Sequence, residues 1–412
     1  MQRFGCRAVV MVAAVTASAF AQQYELVQIG AGGGSYSRAW DINERGVIAG
    51  HALNGQGSAV LWIDGQMVSL GLPPVDGFAQ AVAVNEAGQV AVTVESNPQG
   101  YTAFLWDDGE WTEIGPLPGR EHTIAEGIDE AGRVVGRSFI LGNSSETGAF
   151  VWDDGVLTEL EQLSYNASAY GVGPEGLVVG LSRVDLGSGR SQANPVIWEN
   201  GVLNVLGLLP DETDGQAFAA NAVGDVVGAC SHFVQPFFTA YQATLWRADG
   251  RVVDLGLTPA NRLACVDGFP FWTVNIAHGV NNHGDVVGYA HCLASGAAQA
   301  AFLWRDGVNH NLEDLVVNLG GWTLTSAQDI NDDGLIVGYG IPAGTSNVSA
   351  FLLVPVFACD ADFNGDGDVN TIDVLAFLNA WSVGDPAADF NGDGTVNTLD
   401  VLAFLNAWSG GC

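Results

Sequence analysis

One pattern, repeated seven times between residues 24 and 356, constrains this chain more than any other feature. A small residue leads into an apolar pair ending in Asn or Asp. A glycine follows two or three residues later, and then Val-Val-Gly or a close variant. The turn glycines are Gly46, Gly88, Gly132, Gly176, Gly224, Gly284 and Gly334, at spacings of 42, 44, 44, 48, 60 and 50. An apolar run ending in Trp follows in six units, at Trp62, Trp106, Trp152, Trp198, Trp246 and Trp304; the seventh has Ala-Phe-Leu-Leu at 350–353. Acid and glycine come next, as in Trp106-Asp107-Asp108-Gly109, and then a short strand ending near Leu-Gly.

Alternating and β-branched residues favour strands, and Asp-Gly or Asn-x-x-Gly supplies the positive-φ positions that hairpins need. Each unit therefore holds about four strands; in the first they are expected at 39–43, 47–51, 59–63 and 66–70. A unit of this size cannot bury its own faces, so neighbours must stack, and the period matches the blade of a propeller. The seventh unit lacks a last strand, whereas residues 24–30 read as such a strand with no unit before it. Pairing the two would close a ring and remove two exposed edges. The expected fold is mainly β, a seven-bladed β-propeller of four-stranded repeats followed by a small α-helical module. An open β-solenoid or a pair of sandwiches is the alternative.

Composition narrows the function. Acids outnumber bases 46 to 13, for a net charge of −33, and every basic residue is Arg. Such a chain repels phosphate backbones, so nucleic acid is not an expected partner. Without Lys, neither Schiff-base chemistry nor a P-loop lysine is available. Residues 1–21 carry Arg3 and Arg7, an apolar run from Ala8 to Val15 and Ala19-Phe20-Ala21, the pattern of a cleaved export signal. That run is too short to span a bilayer, and no later segment is long and apolar enough. The mature chain is thus expected outside the cytoplasm, starting at Gln22, where disulfides persist. It would keep Cys230, Cys265, Cys292, Cys359 and Cys412. Cys359 and Cys412 bracket the last 54 residues and form the expected bridge; at most one pair forms among the other three, and the sequence does not choose it.

Paired carboxylates at Asp107-Asp108, Asp153-Asp154 and Asp332-Asp333 precede turn glycines, so turn formation explains them without acid–base catalysis. The recurring Trp residues are expected to fill space between blades. Non-repeating Trp111, Trp272 and Trp322 are candidates for stacking on carbohydrate, and His278, His283 and His291 with Cys292 hint at metal without any established zinc spacing. No Gly-x-Ser-x-Gly elbow is present.

The segment 357–412 carries the clearest chemistry. Asp362-Phe-Asn-Gly-Asp-Gly-Asp-Val-Asn-Thr-Ile-Asp373 recurs 27 residues later as Asp389-Phe-Asn-Gly-Asp-Gly-Thr-Val-Asn-Thr-Leu-Asp400. Calcium takes six to eight oxygens, and a 12-residue loop offers them at positions 1, 3, 5, 7, 9 and 12. Those positions are Asp362, Asn364, Asp366, Asp368, Asn370 and Asp373 in the first loop. In the second they are Asp389, Asn391, Asp393, Thr395, Asn397 and Asp400. Gly367 and Gly394 sit at position 6, where the loop turns sharply. Two Ca2+ ions are expected. Each loop runs into a helix, at 371–381 and 398–408, on which Val374, Leu375, Leu378 and Trp381 are expected to form one apolar face, with the same face in the second copy. The tail holds nine Asp and no Arg, so its folding is expected to depend on the cations.

Two resemblances follow from these residues. Segments such as Gly279-Val-Asn-Asn-His-Gly-Asp-Val-Val-Gly288 and Ala301-Phe-Leu-Trp-Arg-Asp-Gly307 look like the bacterial extracellular HAF repeat, which implies secretion and repeat architecture but no defined reaction. The tail resembles type I dockerins along its whole length. That resemblance implies docking onto a cohesin-like receptor through the helix surface, and a clasp of the module's two ends by Cys359 and Cys412. The tail departs from the cellulosomal pattern at loop positions 10 and 11, which are Thr371-Ile372 and Thr398-Leu399 where a Ser/Thr pair is common, and its helices carry no basic residue. The chain reads as a secreted, non-catalytic binding or scaffold protein: residues 1–21 a signal peptide, 22–356 the propeller, 357–412 the dockerin-like calcium module. Its partners would be a cohesin-like or cell-envelope protein at the tail and a glycan at the propeller. The alternative is an extracellular carbohydrate-active enzyme, a glycoside hydrolase or polysaccharide lyase, with its site at the channel mouth.

Overall fold

The computed structural model describes residues 22–30, 36–53, 57–96, 100–234, 238–257, 273–292, 299–356, 361–364 and 369–410. Compact units fall at Tyr24–Val356 and at Phe357–Cys412 together with Met1–Gln23. Residues 1–21, read above as an export signal, lie outside the described residues, as do Trp272, Cys265, Cys359 and Cys412.

The larger unit is built of antiparallel meanders. In the first, strands Ser37–Ile42, Ile48–Leu53, Gly57–Ile63 and Gln66–Ser69 pair in sequence order. Among the described residues the same four-stranded arrangement recurs in each successive unit; units 5 and 6 share one sheet through a parallel bridge between Tyr241 and Val274. The seventh unit closes as the sequence leads one to expect. Its sheet runs Gln23–Gln28, Ser349–Val356, Ile336–Ile341, Thr323–Ile330, so the amino-terminal strand supplies the missing member.

Buried amides tie the units in succession. Asn43 Nδ2 donates to the Asn85 carbonyl at 3.0 Å and Asn85 Nδ2 to the Asp129 carbonyl at 3.0 Å. Asn221 reaches the Asn281 carbonyl at 2.8 Å, Asn281 that of Asn331 at 3.1 Å, and Asn331 that of Asn43 at 3.1 Å. The last of these joins unit 7 to unit 1, so the succession returns to its start. Each Asn also accepts from backbone N–H groups of its own turn, as Asn43 Oδ1 does from Arg45 and Val47, which explains why Asn recurs ahead of the glycine. The pattern changes where the side chain changes. Asp129 has no N–H to donate and instead binds Arg133 at 2.6 Å, and Gly173 has no side chain.

The core lies between units. Trp62 and Trp198 are 1% exposed, and Trp62 packs with Val337 and Ala350 of unit 7 as well as with Ile48 of its own unit. Trp152 clusters with Ala83 and Leu105 of unit 2. The recurring Trp is thus inter-unit packing, as expected. Trp111 and Trp322 are not open stacking platforms: Trp111 packs edge-on against Phe104, and Trp322 packs on the core of unit 7. Asp108 and Asp154 sit at φ of 44° and 42° ahead of Gly109 and Gly155, so these acids are hairpin turn residues.

A bulge marks the first strand of every unit. Register shifts fall between Ala39 and Asp41, Ala81 and Ala83, Ala125 and Gly127, Ala169 and Gly171, Ala217 and Ala219, Ala277 and Gly279, and Ala327 and Asp329. The bulge accounts for the glycine ending Val-Val-Gly. A Cβ at Gly50 would stand 2.1 Å from the Arg38 carbonyl oxygen, and one at Gly338 2.1 Å from that of Ser326. The residue set out by each bulge lines one shared cavity.

In the smaller unit, helices α1 (Thr371–Ser382) and α2 (Thr398–Gly410) follow the two loops. Phe377, Phe404 and Ala388 are buried, flanked by Phe363, Phe390, Val374, Trp381, Val401 and Trp408. The expected apolar face needs correction. Val374 and Trp381 turn inward with Phe377, but Leu375 is 60% exposed and Leu378 39% exposed. Leu402 and Leu405 repeat this at 58% and 39%, because the small pseudo-symmetric core has room for one face per helix and the aromatics take it.

Candidate metal centre and ring cavity

The tail places its candidate ligands on two equivalent loop-helix junctions. Asn370 caps α1: its side chain accepts from the Ile372 N–H at 2.8 Å, and Asp373 accepts in return from the Asn370 N–H at 2.8 Å. Asp373 also accepts from the Asn364 N–H at 3.2 Å, so one carboxylate ties position 3 to position 9 across the first loop. The second loop repeats this: Asp400 accepts from Asn391 N–H at 3.1 Å and from Asn397 N–H at 2.7 Å. Both position-12 carboxylates are buried. N–H donation from Asn370, ahead of that from Asn364, holds the Asp373 carboxyl below the usual carboxylate range.

In the second loop Asp389 accepts from the Asp393 and Gly394 N–H groups, Asn391 from Asp393, and Asp393 from the Thr395 hydroxyl and N–H. The Thr395 interactions hold the Asp393 carboxyl low. Gly392 and Gly394 take φ of 71° and 86°, which turns the loop back over its own oxygens. The donor set is oxygen throughout, which fits a hard cation. Among the described residues no three His, Cys, Asp or Glu side chains gather closely enough to hold a metal as they stand; here the carboxylates are taken up by backbone N–H groups. Asp366 and Asp368 lie outside the described residues. The indoles of the helices cross over: Trp381 Nε1 donates to the Asn397 carbonyl at 2.7 Å, and Trp408 Nε1 to the Asn370 carbonyl at 3.0 Å.

Of the residues at the second site, the sequence had singled out only His278, and the channel mouth only as a place. A cavity of about 560 Å³ opens within the larger unit, lined by the bulged residues Trp40, Val82, Glu126, Tyr170, Phe218, His278 and Gln328. Turn and core positions recur from unit to unit, whereas this position differs in all seven. That contrast was available as a signal in the aligned repeats. Asp41 and Asp329 meet here from units 1 and 7. Asp329 accepts from the Ile42 N–H at 3.2 Å and Asp41 from the Val84 N–H at 2.7 Å. Burial raises both carboxyls, and for Asp329 the neighbouring Asp41 raises it further. Glu126, also raised by burial, pairs with Arg137 at 3.2 Å, and Arg137 lies 5.7 Å from the Tyr170 ring centroid. Burial pushes the His278 imidazole down to about 4, so it is neutral, and its Nδ1 has no partner. His278, His283, His291 and Cys292 do not assemble a metal site among the described residues; Cys292 is disulfide-bonded and Cys230 is a buried free thiol.

Comparison with known proteins places the tail: residues 360–407 match the dockerin type I domain. No curated protein matches the chain. In fold it is similar to TolB from Acinetobacter baumannii, at 14% identity over 66% of this chain and 60% of that one, with a TM-score of 0.38. It is also similar to the β-propeller domain of the Trilobed protease from Pyrococcus furiosus, at 11% identity over 77% and 93%, with a TM-score of 0.47. A puromycin-hydrolysing peptidase from Mycobacterium tuberculosis gives 11% identity over 79% and 51%, with a TM-score of 0.48. The chain thus spans 60% of TolB and about half of the peptidase.

Proposed function

We propose that this is an extracellular binding protein: a seven-bladed β-propeller of HAF-type repeats, exported by residues 1–21 and attached to a cohesin-like or cell-envelope receptor through its dockerin tail. Two Ca2+ ions fold that tail. The first would be held by Asp362, Asn364, Asp366, Asn370 and Asp373 with the Asp368 carbonyl, and the second by Asp389, Asn391, Asp393, Asn397 and Asp400 with the Thr395 carbonyl. The observation that carries this reading is the match of residues 360–407 to the dockerin type I domain, joined to the exposed apolar stripe it leaves. Ile372, Leu375 and Leu378 on α1, and Leu399, Leu402 and Leu405 on α2, stay uncovered within the unit, at 39% exposure or more. Such apolar surface suits a protein partner. The absence of basic residues there points to a receptor that does not rely on acidic contacts. The test is capture of cohesin-type domains or envelope proteins by the full chain with calcium and with chelator. Retention that needs calcium and is lost on Leu375→Asp with Leu402→Asp supports docking; capture indifferent to both contradicts it.

A second reading, a hydrolase or lyase acting on polysaccharide, draws on the acids and His278 in the cavity. Product analysis after incubation with polysaccharides tests it, and release of defined oligosaccharides would favour it.

A further inference from the structure

In the second loop of the tail, Asn391 stands directly ahead of Gly392. Asn391 is exposed, and its Oδ1 accepts from the Asp393 N–H at 2.9 Å. A side-chain bond to the amide two residues on folds the carboxamide back over the intervening peptide, which sets Asn391 Cγ beside the Gly392 nitrogen. The same bond draws electrons from that carbon and makes it a better electrophile. On the other side, the Asn391 N–H is fixed to Asp400 Oδ1 at 3.1 Å, and Gly392 follows at φ 71°. A Cβ on Gly392 would meet nothing within 4 Å, and among the described residues the Gly392 N–H has no acceptor. Nucleophile, electrophile and an open approach thus meet in one exposed turn.

The same dipeptide occurs at Asn200-Gly201 in a different setting. There the two residues are the centre of a hairpin turn, at φ of 51° and 81°, clamped by the pairing of Glu199 with Val202. Asp108 and Asp154 fill the equivalent position in units 2 and 3. The chain therefore carries its own comparison: one Asn-Gly locked in a sheet, and one in a loop whose carboxamide already leans on the peptide that follows.

We propose that Asn391 is a self-modifying site, and that its conversion limits how long the tail stays competent without calcium. Asparagine amides are thermally labile. The Gly392 nitrogen bonds to Asn391 Cγ, the Cγ–Nδ2 bond breaks, and Nδ2 leaves as ammonia with the proton that the Gly392 nitrogen gives up. Water then opens the five-membered imide. Opening at Cγ leaves aspartate, and opening at the main-chain carbonyl leaves isoaspartate, with the chain rerouted through Cγ. The second product adds a methylene to the main chain between Asp389 and Asp393. It thereby breaks the register in which Asp389 accepts from the Asp393 and Gly394 N–H groups. The proposal rests on the reading of this loop as a calcium site: an ion held through Asn391 Oδ1 stiffens the turn and keeps Cγ from the nitrogen, so the loaded tail resists the reaction.

The test incubates the full chain in warm, mildly alkaline buffer with chelator and with calcium, and follows the peptides holding Asn391 and Asn200 by mass spectrometry. In chelator Asn391 is expected to convert about tenfold faster than Asn200 or more, with isoaspartate among the products, and calcium to slow it about tenfold or more. Gly392→Asn, whose side chain tolerates positive φ but crowds the nitrogen, is expected to slow conversion in chelator by a similar factor. Calorimetric titration of the fresh chain with calcium separates this proposal from the reading beneath it. Conversion at Asn391 no faster than at Asn200, or equal with and without calcium in a chain that takes up the ion, overturns the proposal and leaves the calcium reading standing. A chain that takes up no calcium overturns both.

Discussion

Phe377 of α1 and Phe404 of α2 stack face to face, with centroids 4.2 Å apart and 6° between their planes. They are the same position in two copies of one loop-helix unit, and Phe363 and Phe390 close the stack edge-on at 5.3 Å and 5.4 Å. A module this small has little core beyond this, so its stability is divided between the aromatics and the loops.

Phe377→Ala is therefore expected to cost about 3–5 kcal/mol and to leave the tail without helix even in calcium. Differential scanning calorimetry checks this: the tail transition disappears while that of Tyr24–Val356 keeps its midpoint.

The crossed indoles make the two loops depend on each other. Trp381 belongs to the first copy but holds the Asn397 carbonyl of the second loop, and Trp408 does the reverse. Trp381→Phe keeps the packing and loses the bond, a difference of about 1 kcal/mol. Calcium titration should show cooperative filling in the parent and a loss of cooperativity in this variant. A uniform weakening of independent sites would disagree.

The buried amide between units 1 and 2 predicts a penalty at Asn43. Alanine there strips the Asn85 carbonyl of a donor and the Arg45 and Val47 N–H groups of an acceptor, all at a buried position. The expected loss is about 2–4 kcal/mol in urea unfolding, against a change within about 0.5 kcal/mol for Val223→Ala at an exposed turn.

The raised carboxyls of Asp41 and Asp329 set a pH dependence. A carboxyl whose folded pKa is raised binds its proton in the native state while the unfolded chain has lost it, from about pH 4 upward. Stability from this pair is therefore highest in acid and falls as pH rises through the raised value, by up to about 1.4 kcal/mol per pH unit per proton. Asp329→Asn should flatten that decline and raise the melting temperature in alkaline buffer. His278 works in the opposite sense: held down to about 4, it loses stability as pH falls from about 6.5. His278→Gln should thus flatten the acid side.

How far the sequence led is clearest in particular residues. The turn glycines, the Trp positions and the strand at the amino terminus were legible because turn geometry, inter-unit packing and edge closure repeat with the period. The two loop-helix units of the tail were legible because the same spacing of Asp, Asn and Gly recurs 27 residues on, each time ahead of a helix. Leu375 and Leu378 were misread as core: periodicity marks an apolar face but does not say which of two apolar faces the partner helix covers, and Phe377 wins by size. The ring cavity went unread because its residues are defined by not repeating. Trp40, Glu126, Tyr170 and His278 come together from separate units through a bulge that period-2 alternation hides.

The central claim, that calcium folds the docking tail while the ring stands alone, is tested most directly by hydrogen exchange of the full chain with calcium and with chelator. The account predicts that amides of Thr371–Ser382 and Thr398–Gly410 lose protection on chelation, by a hundredfold or more, while Ser37–Ile42 and Thr323–Ile330 exchange at unchanged rates. Equal protection of both helices with and without the ion would contradict it.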